Sequence, residues 1–312
     1  MDPIVLFFIL GLAAGLARSD LRLPGPIYEF LSVILLLAIG LKGGVELAQQ
    51  SLAALLPQMI AVVIMGSLLP LAAYPVLRFA GRLPRVDAAA IAAHYGSVSV
   101  GTYAVAVAWL VSRNIRYEEH MPLLLVMLEV PAIVVGIMLA RGAAAGTDWK
   151  RLGHEVFLGK SIVLLIGGLL IGWAAGPEAL EPVSGLFFGL FHGVLALFLL
   201  EMGLVAAGQV GSLRRHGLFL VAFGVLFPLF GAVIGGALGL LLSLSPGGIM
   251  LLATLAASAS YIAVPAALRL ALPEANPTLS LTASLGVTFP FNILVGIPLY
   301  MRLADLLHAT GG

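Results

Sequence analysis

The sequence predicts an all-α integral membrane protein: ten transmembrane helices in two inverted five-helix repeats, with helices 4 and 9 broken. Three observations predict this. Of 312 residues, 61% are hydrophobic and only 10% charged, with a mean hydropathy of +1.11, whereas soluble domains carry about 25% charged residues. Apolar spans recur from one end to the other with no gap large enough for a soluble domain. Two of the spans are interrupted in the middle by small polar residues, and these breaks fall at matching places in the two halves.

Pro3–Leu16 opens the series with no basic run before it and no small-x-small cleavage motif after it, so it is expected to be a retained helix. The span 27–47 ends in Gly40-Leu41-Lys42-Gly43-Gly44-Val45-Glu46. Lys42 and Glu46 stand four residues apart, share a helix face and are expected to pair near the outer interface. The span 52–77 follows, and then 88–111, which contains the break Ala92–Thr102. Glu129 and the helix-interrupting Pro131 lie in the span 122–140. Residues 141–155 are expected to be a modest polar loop. Gly168 and Gly172 in the span 156–174, and Gly231, Gly235 and Gly239 in the span 217–242, have the small-xxx-small spacing of close helix packing. The span 183–208 carries His192 and Glu201. The second break, Ala256–Ala266, lies in 247–270, and Thr288, Pro290 and Asn292 lie in 279–303.

Residues 1–141 and 156–312 read as two copies of one unit joined by a cytoplasmic linker, 142–155. Gly40-Leu41 is echoed by Gly203-Leu204, Ala92-Ala93 by Ala256-Ala257 and Pro131 by Pro290, at nearly constant separation. Five helices per copy make the second enter from the opposite side, the inverted symmetry associated with alternating access. Loops after odd-numbered spans carry Arg18, Arg22, Arg78, Arg82, Arg85, Arg141, Lys150, Arg151, Lys160, Arg214, Arg215 and Arg269; the other side has Lys42, Arg113, Arg116 and Arg302. An excess of basic residues marks the cytoplasmic side. The expectation is therefore a multi-pass protein of the inner (plasma) membrane with both termini outside and the lipid bilayer as its surroundings.

The breaks hold the chemistry. Unwound backbone at membrane depth survives only where it faces protein or a water-filled cavity. Tyr95, Gly96, Ser97, Ser99, Gly101 and Thr102 in the first break, with Ser258, Ala259, Ser260 and Tyr261 in the second, are the candidate substrate-binding residues. No cationic side chain stands among them. Two half-helix N-termini meeting there would offer N–H groups and partial positive charge to a small anion. Glu129 within its apolar run either couples an ion or is a protonated, hydrogen-bonded carboxyl. Thr288 and Asn292 could supply oxygens to Na⁺ or act as interhelical hydrogen-bond partners. His94 and His192 are expected to be packed or satisfied histidines. Cysteine is absent, which excludes disulfides, thiolate metal sites and iron–sulfur clusters. No HExxH, GxGD or Ser/His pair suggests an enzyme, no cofactor beyond a coupling Na⁺ is expected, and nothing calls for a nucleic-acid partner.

Several stretches together resemble a known family: Ile39-Gly40-Leu41-Lys42-Gly43-Gly44, Tyr95 to Thr102, Tyr117-Glu118 through Glu129-Val130-Pro131-Ala132, and Ala256 to Pro265 with Pro273-Glu274-Ala275-Asn276-Pro277. In order and over nearly the whole chain, they are similar to the sodium-dependent bicarbonate transporters first recognised in cyanobacteria. The resemblance implies core and gate domains each assembled from both repeats, a homotrimer, and Na⁺-driven bicarbonate uptake with the anion between the broken helices. It also implies a PII-like regulatory partner, with less support because the central loop is shorter in this chain. The chain departs from the family pattern in three places. Ser258-Ala259-Ser260-Tyr261 stands where the family has Ser-Ser-Ser-Asp, Val100-Gly101 replaces a Gly-Ser pair, and Glu129 stands where the family has Asp. A carrier of a small organic carboxylate, coupled to H⁺ or Na⁺, is the main rival reading; a membrane receptor or channel is the remote one.

Overall fold

The structure is a computed structural model that describes residues 3–142 and 149–311, and these residues are helical with no β-strand among them. Helices α1 (Pro3–Leu16), α2 (Gly25–Leu47) and α3 (Leu52–Pro75) are followed by α4 (Arg85–Gly96), α5 (Val100–Val111), α6 (Met121–Glu129) and α7 (Pro131–Arg141). Next come α8 (Trp149–Phe157), α9 (Lys160–Ser184), α10 (Phe191–Leu241), α11 (Pro246–Ala256) and α12 (Ala263–Ala271). The chain ends in α13 (Pro277–Ala283), α14 (Phe289–Phe291) and α15 (Ile297–Gly311), which run on through π-helical turns at Ser284–Thr288 and Asn292–Gly296. Among the described residues, six helical stretches are long and apolar enough to cross a bilayer. Leu56, Ile60, Ile64, Leu68 and Leu71 leave an apolar stripe along α3 uncovered. A stripe of that length is an aggregation surface in water and an ordinary one in lipid.

Two of the long helices bend at a glycine. Gly176 in α9 (φ 71°) and Gly217 in α10 (φ 84°) adopt a backbone conformation that only glycine takes without strain, so each helix turns a corner there. The helices pack in two groups. In one, α1 lies along the first part of α10 and α2 along α9. The glycines make these contacts close: a Cβ on Gly11 would overlap the Leu200 carbonyl, and one on Gly172 would overlap that of Leu41. In the other group, α3 packs on α4, α6 and α7, while the later part of α10 packs on α11 through Gly231 and Gly235, which meet the carbonyls of Ala256 and Leu252. The small-xxx-small spacings at Gly168/Gly172 and Gly231/Gly235 thus form packing faces, as read from the sequence.

The linker expectation needs a correction. Residues 143–148 of it lie outside the described residues, and the polar loop expected up to 155 gives way from Trp149 onward to helix α8. Leu152 and Val156, one turn apart, are buried against Ile133, Ile137, Val264 and Ala267, which supplies the tertiary packing a nine-residue helix needs in order to form. The expected Lys42–Glu46 pair is loosened rather than closed into a direct contact. Lys42 Nζ donates to Tyr117 Oη at 3.2 Å and sits 5.6 Å from the centre of that ring, while the Glu46 carboxyl lies beside Glu119 with the Lys42 charge still acting on it. Both side chains have neighbours in the segment before α6, and Lys42 acts on Glu46 by its charge without a direct ion-pair contact.

Candidate functional site

The two breaks cross each other inside the protein. Helix α4 stops at Gly96 and α5 begins at Val100; α11 stops at Ala256 and α12 begins at Ala263. Ser97 and Ser99 are extended between the first pair of half-helices. The crossing is tied by hydrogen bonds between residues more than 150 positions apart. Ser260 N–H donates to the His94 carbonyl at 2.9 Å, and Ser99 N–H donates to Ser258 Oγ at 2.9 Å. His94 Nδ1 lies 2.6 Å from the Ser260 carbonyl. A carbonyl can only accept, so Nδ1 carries the proton. His94 is therefore a satisfied buried histidine, one of the roles expected of it.

Each break also caps the half-helix that follows it. Ser99 Oγ accepts from Thr102 N–H at 3.1 Å and from Thr102 Oγ1 at 2.9 Å, and Ser260 Oγ accepts from Val264 N–H at 3.4 Å. The first N–H groups of a helix have no partner inside it. At α5 this leaves Val100 and Gly101 as donors, whereas at α12 the third position is Pro265, which has no N–H. Helix α5 is thus the better-endowed anion end of the two. Tyr261 packs over that end: a Cβ on Gly101 would collide with its phenolic oxygen. The side chain is 8% exposed, its ring meets Phe289 edge-on at 5.5 Å, and its buried hydroxyl has Ser99 beside it but makes no hydrogen bond of good geometry.

Ser99, Ser260, Tyr261 and Glu129 line a small cavity of about 10 Å³, room for about one water. Ser161 and Ile262, which also line it, continue into a second cavity of about 90 Å³ that reaches Glu155 and Lys160. Glu129 is fully enclosed and accepts from Ser97 Oγ at 3.2 Å. Ala259, beside these residues, is buried at 3% exposure and adds no polar atom. Ser161, from the start of α9, carries no signal in the sequence; a lone serine at the head of an apolar span looks like a helix-end residue. A third, larger cavity of about 490 Å³ lies between α2, α5 and the start of α6, and includes Lys42, Glu46, Glu119, Glu181 and His192.

The remaining candidates lie apart from the small cavity. Tyr95 Oη donates to Thr288 Oγ1 at 2.6 Å and Thr288 Oγ1 donates to the Gly224 carbonyl at 2.7 Å, beneath the rings of Phe223 and Phe227. Asn292 Nδ2 donates to the Ala257 carbonyl at 2.9 Å, and its Oδ1 accepts from Tyr300 Oη at 2.6 Å. These bonds tie α4 and α11 to the helices behind them. Gly96 packs against Pro70 and Ala132, where a Cβ would not fit. Among the described residues, no group of three or more His, Asp or Glu is placed to hold a metal ion.

Broken helices that cross inside a bundle coated with apolar side chains define a multi-pass membrane transport protein. The family comparison agrees. The chain belongs to the Na⁺-dependent bicarbonate transporter superfamily, whose sequence profile matches residues 3–305. It is therefore a transporter and not an enzyme. A comparison with curated proteins gave no match.

Proposed function

We propose that this protein is a secondary active transporter that takes up bicarbonate or a similar small anion together with Na⁺, by elevator-like alternating access. One observation carries the reading: the N-terminus of α5 and the Tyr261 hydroxyl face a one-water cavity that continues past Ser161 into a second one of about 90 Å³, a donor set suited to an oxyanion. Glu129 beside it is the acidic group for the coupling cation. Ser97, Ser99, Thr102, Ser258 and Ser260 hold the breaks in register, and Thr288 and Asn292 brace them.

The proposal includes ten crossings in two inverted repeats, with core and gate each drawn from both. The corners at Gly176 and Gly217 support that count by dividing α9 and α10 into separate passes. The seams support the symmetry, because α1 on the first part of α10 and α2 on α9 are images of one another when the repeats are exchanged. Placement in the inner membrane with both termini outside, a homotrimer, and docking of a PII-like regulator belong to the same proposal. The first of these rests on the arginine distribution and the other two on family membership alone. A carboxylate carrier coupled to H⁺ through Glu129 is the second reading, favoured by the absence of an acidic side chain at Tyr261.

The test is uptake of ¹⁴C-bicarbonate by proteoliposomes under an imposed Na⁺ gradient, then with K⁺ in place of Na⁺ at constant pH. Saturable uptake that vanishes without Na⁺ is expected. No uptake in either condition by folded protein sinks the substrate assignment, and uptake that follows pH instead of Na⁺ moves the coupling to protons.

A further inference from the structure

The cavity of about 90 Å³ beyond the crossing is walled on one side by the start of α9, Gly159 to Ile162, and on the others by Ile133, Val156 and the head of α12 at Ala263. This end of α9 has no cap. Gly159 offers no side chain, no side-chain bond closes the first turn, and the N–H groups of Lys160, Ser161 and Ile162 have no acceptor inside the helix. From there α9 runs unbroken to its corner at Gly176, long enough to concentrate partial positive charge at its head. A second observation points the same way. The Ser161 side chain is 4% exposed and lines both this cavity and the small one, yet its hydroxyl makes no hydrogen bond among the described residues. Buried hydroxyls are ordinarily paired, so this one is a donor left over for whatever enters the cavity. The rim adds little: Lys160 and Glu155 are exposed and of opposite charge, and Lys160 pairs with Glu29 at 3.6 Å.

We propose that this cavity is a second station for the transported oxyanion, held by the N–H groups of the first turn of α9 and by the Ser161 hydroxyl. The inference rests on the anion-carrier reading above and extends it with a binding place on the other group of helices. Size sets the class. One water needs roughly 10–15 Å³ of such space, so the cavity takes a few waters or one ion the size of bicarbonate or formate, whereas drug-sized ligands occupy roughly 300–1,000 Å³. Chemistry agrees, because uncapped N–H groups and a hydroxyl donate to an oxyanion without needing a cationic side chain, and the apolar walls at Ile133 and Val156 strengthen those bonds. The position gives the station a consequence. Helix α5, at the crossing, packs on α11, whereas α9 packs on α2. An ion that steps from the head of α5 past Ser161 to the head of α9 is therefore handed from one group of helices to the other.

The test is calorimetric titration of the purified full-length protein in detergent with formate, against chloride at constant ionic strength. Saturable binding is expected, weakened at least about tenfold in Ser161→Ala, the scale of one lost hydrogen bond to a charged group. Ser161→Thr keeps the hydroxyl and is expected to stay within about threefold of the parent. Alanine removes no bond that holds the fold, as elution volume and circular dichroism will show. Lys160→Gln is also expected to stay within about threefold, because an exposed, already paired charge contributes little. Tyr261→Phe locates the ion: it is expected to leave the Ser161-dependent binding in place. Binding that falls in Tyr261→Phe but not in Ser161→Ala belongs to the crossing alone and overturns the station, as does binding that never saturates. Uptake of bicarbonate is measured separately, so failure of the carrier reading shows as absent uptake with formate binding intact.

Discussion

Tyr261 holds its hydroxyl in the protein beside Ser99 without a hydrogen bond of good geometry, an arrangement that costs up to on the order of 1–3 kcal/mol. Removing that oxygen tests whether the cost serves binding. Tyr261→Phe is expected to raise unfolding stability in detergent by about 1 kcal/mol while raising the KM for uptake several-fold; an unchanged KM removes the hydroxyl from the substrate site. A second residue-scale prediction concerns His120, which precedes α6. Its Nε2 lies 2.6 Å from Gln58 Oε1, its Nδ1 is buried without a partner, and burial holds its pKa below the usual histidine value. The unfolded chain therefore takes up a proton before the folded one does as pH falls below about 6.5. Stability contributed by neutral His120 is present above that pH and lost below it. The unfolding midpoint is expected to drop between pH 7 and 5, and His120→Gln is expected to flatten the drop.

At the scale of elements, the α2–α9 contact depends on bare backbone, because Gly40 and Gly168 approach each other at a distance no side chain allows. Gly172→Val is expected to destabilise the fold by about 1–3 kcal/mol through overpacking, whereas Gly167→Val, with nothing within 4 Å of its Cβ position, is expected to be neutral; thermal unfolding of both variants decides this. The contrast shows what a single sequence carries. Apolar spans and their interruptions were legible because hydropathy and Ser/Gly content are local properties, and so were both breaks and the glycine faces. Helix α8 was hidden because its nine residues follow a polar stretch and gain stability only from Ile133, Ile137 and Val264 far along the chain. Lys42 and Glu46 looked like a pair because helical spacing puts them on one face, yet Tyr117 and Glu119 are competing partners that only the tertiary arrangement reveals. Ser161 reaches the small cavity for the same reason.

For the whole molecule, the absence of cysteine makes introduced thiols unambiguous reporters. A bifunctional maleimide joining Ala38→Cys on α2 and Val107→Cys on α5, which packs on α11 of the other group and faces the same 490 Å³ cavity, is expected to stop uptake if the two helix groups slide past one another; full uptake by the linked protein would rule out that motion. The pairing of α1 with α10 and of α2 with α9 also bears on how the molecule is made. While the chain is being synthesised, the glycine faces of α1 and α2 enter the bilayer long before their partners exist, and the Ser97–Ser99 backbone waits for Ser258 and Ser260. Contacts at such sequence separation form late and slowly. The newborn first half must therefore persist in lipid as an open, half-satisfied assembly, a target for insertion factors and membrane proteases until the last helices arrive.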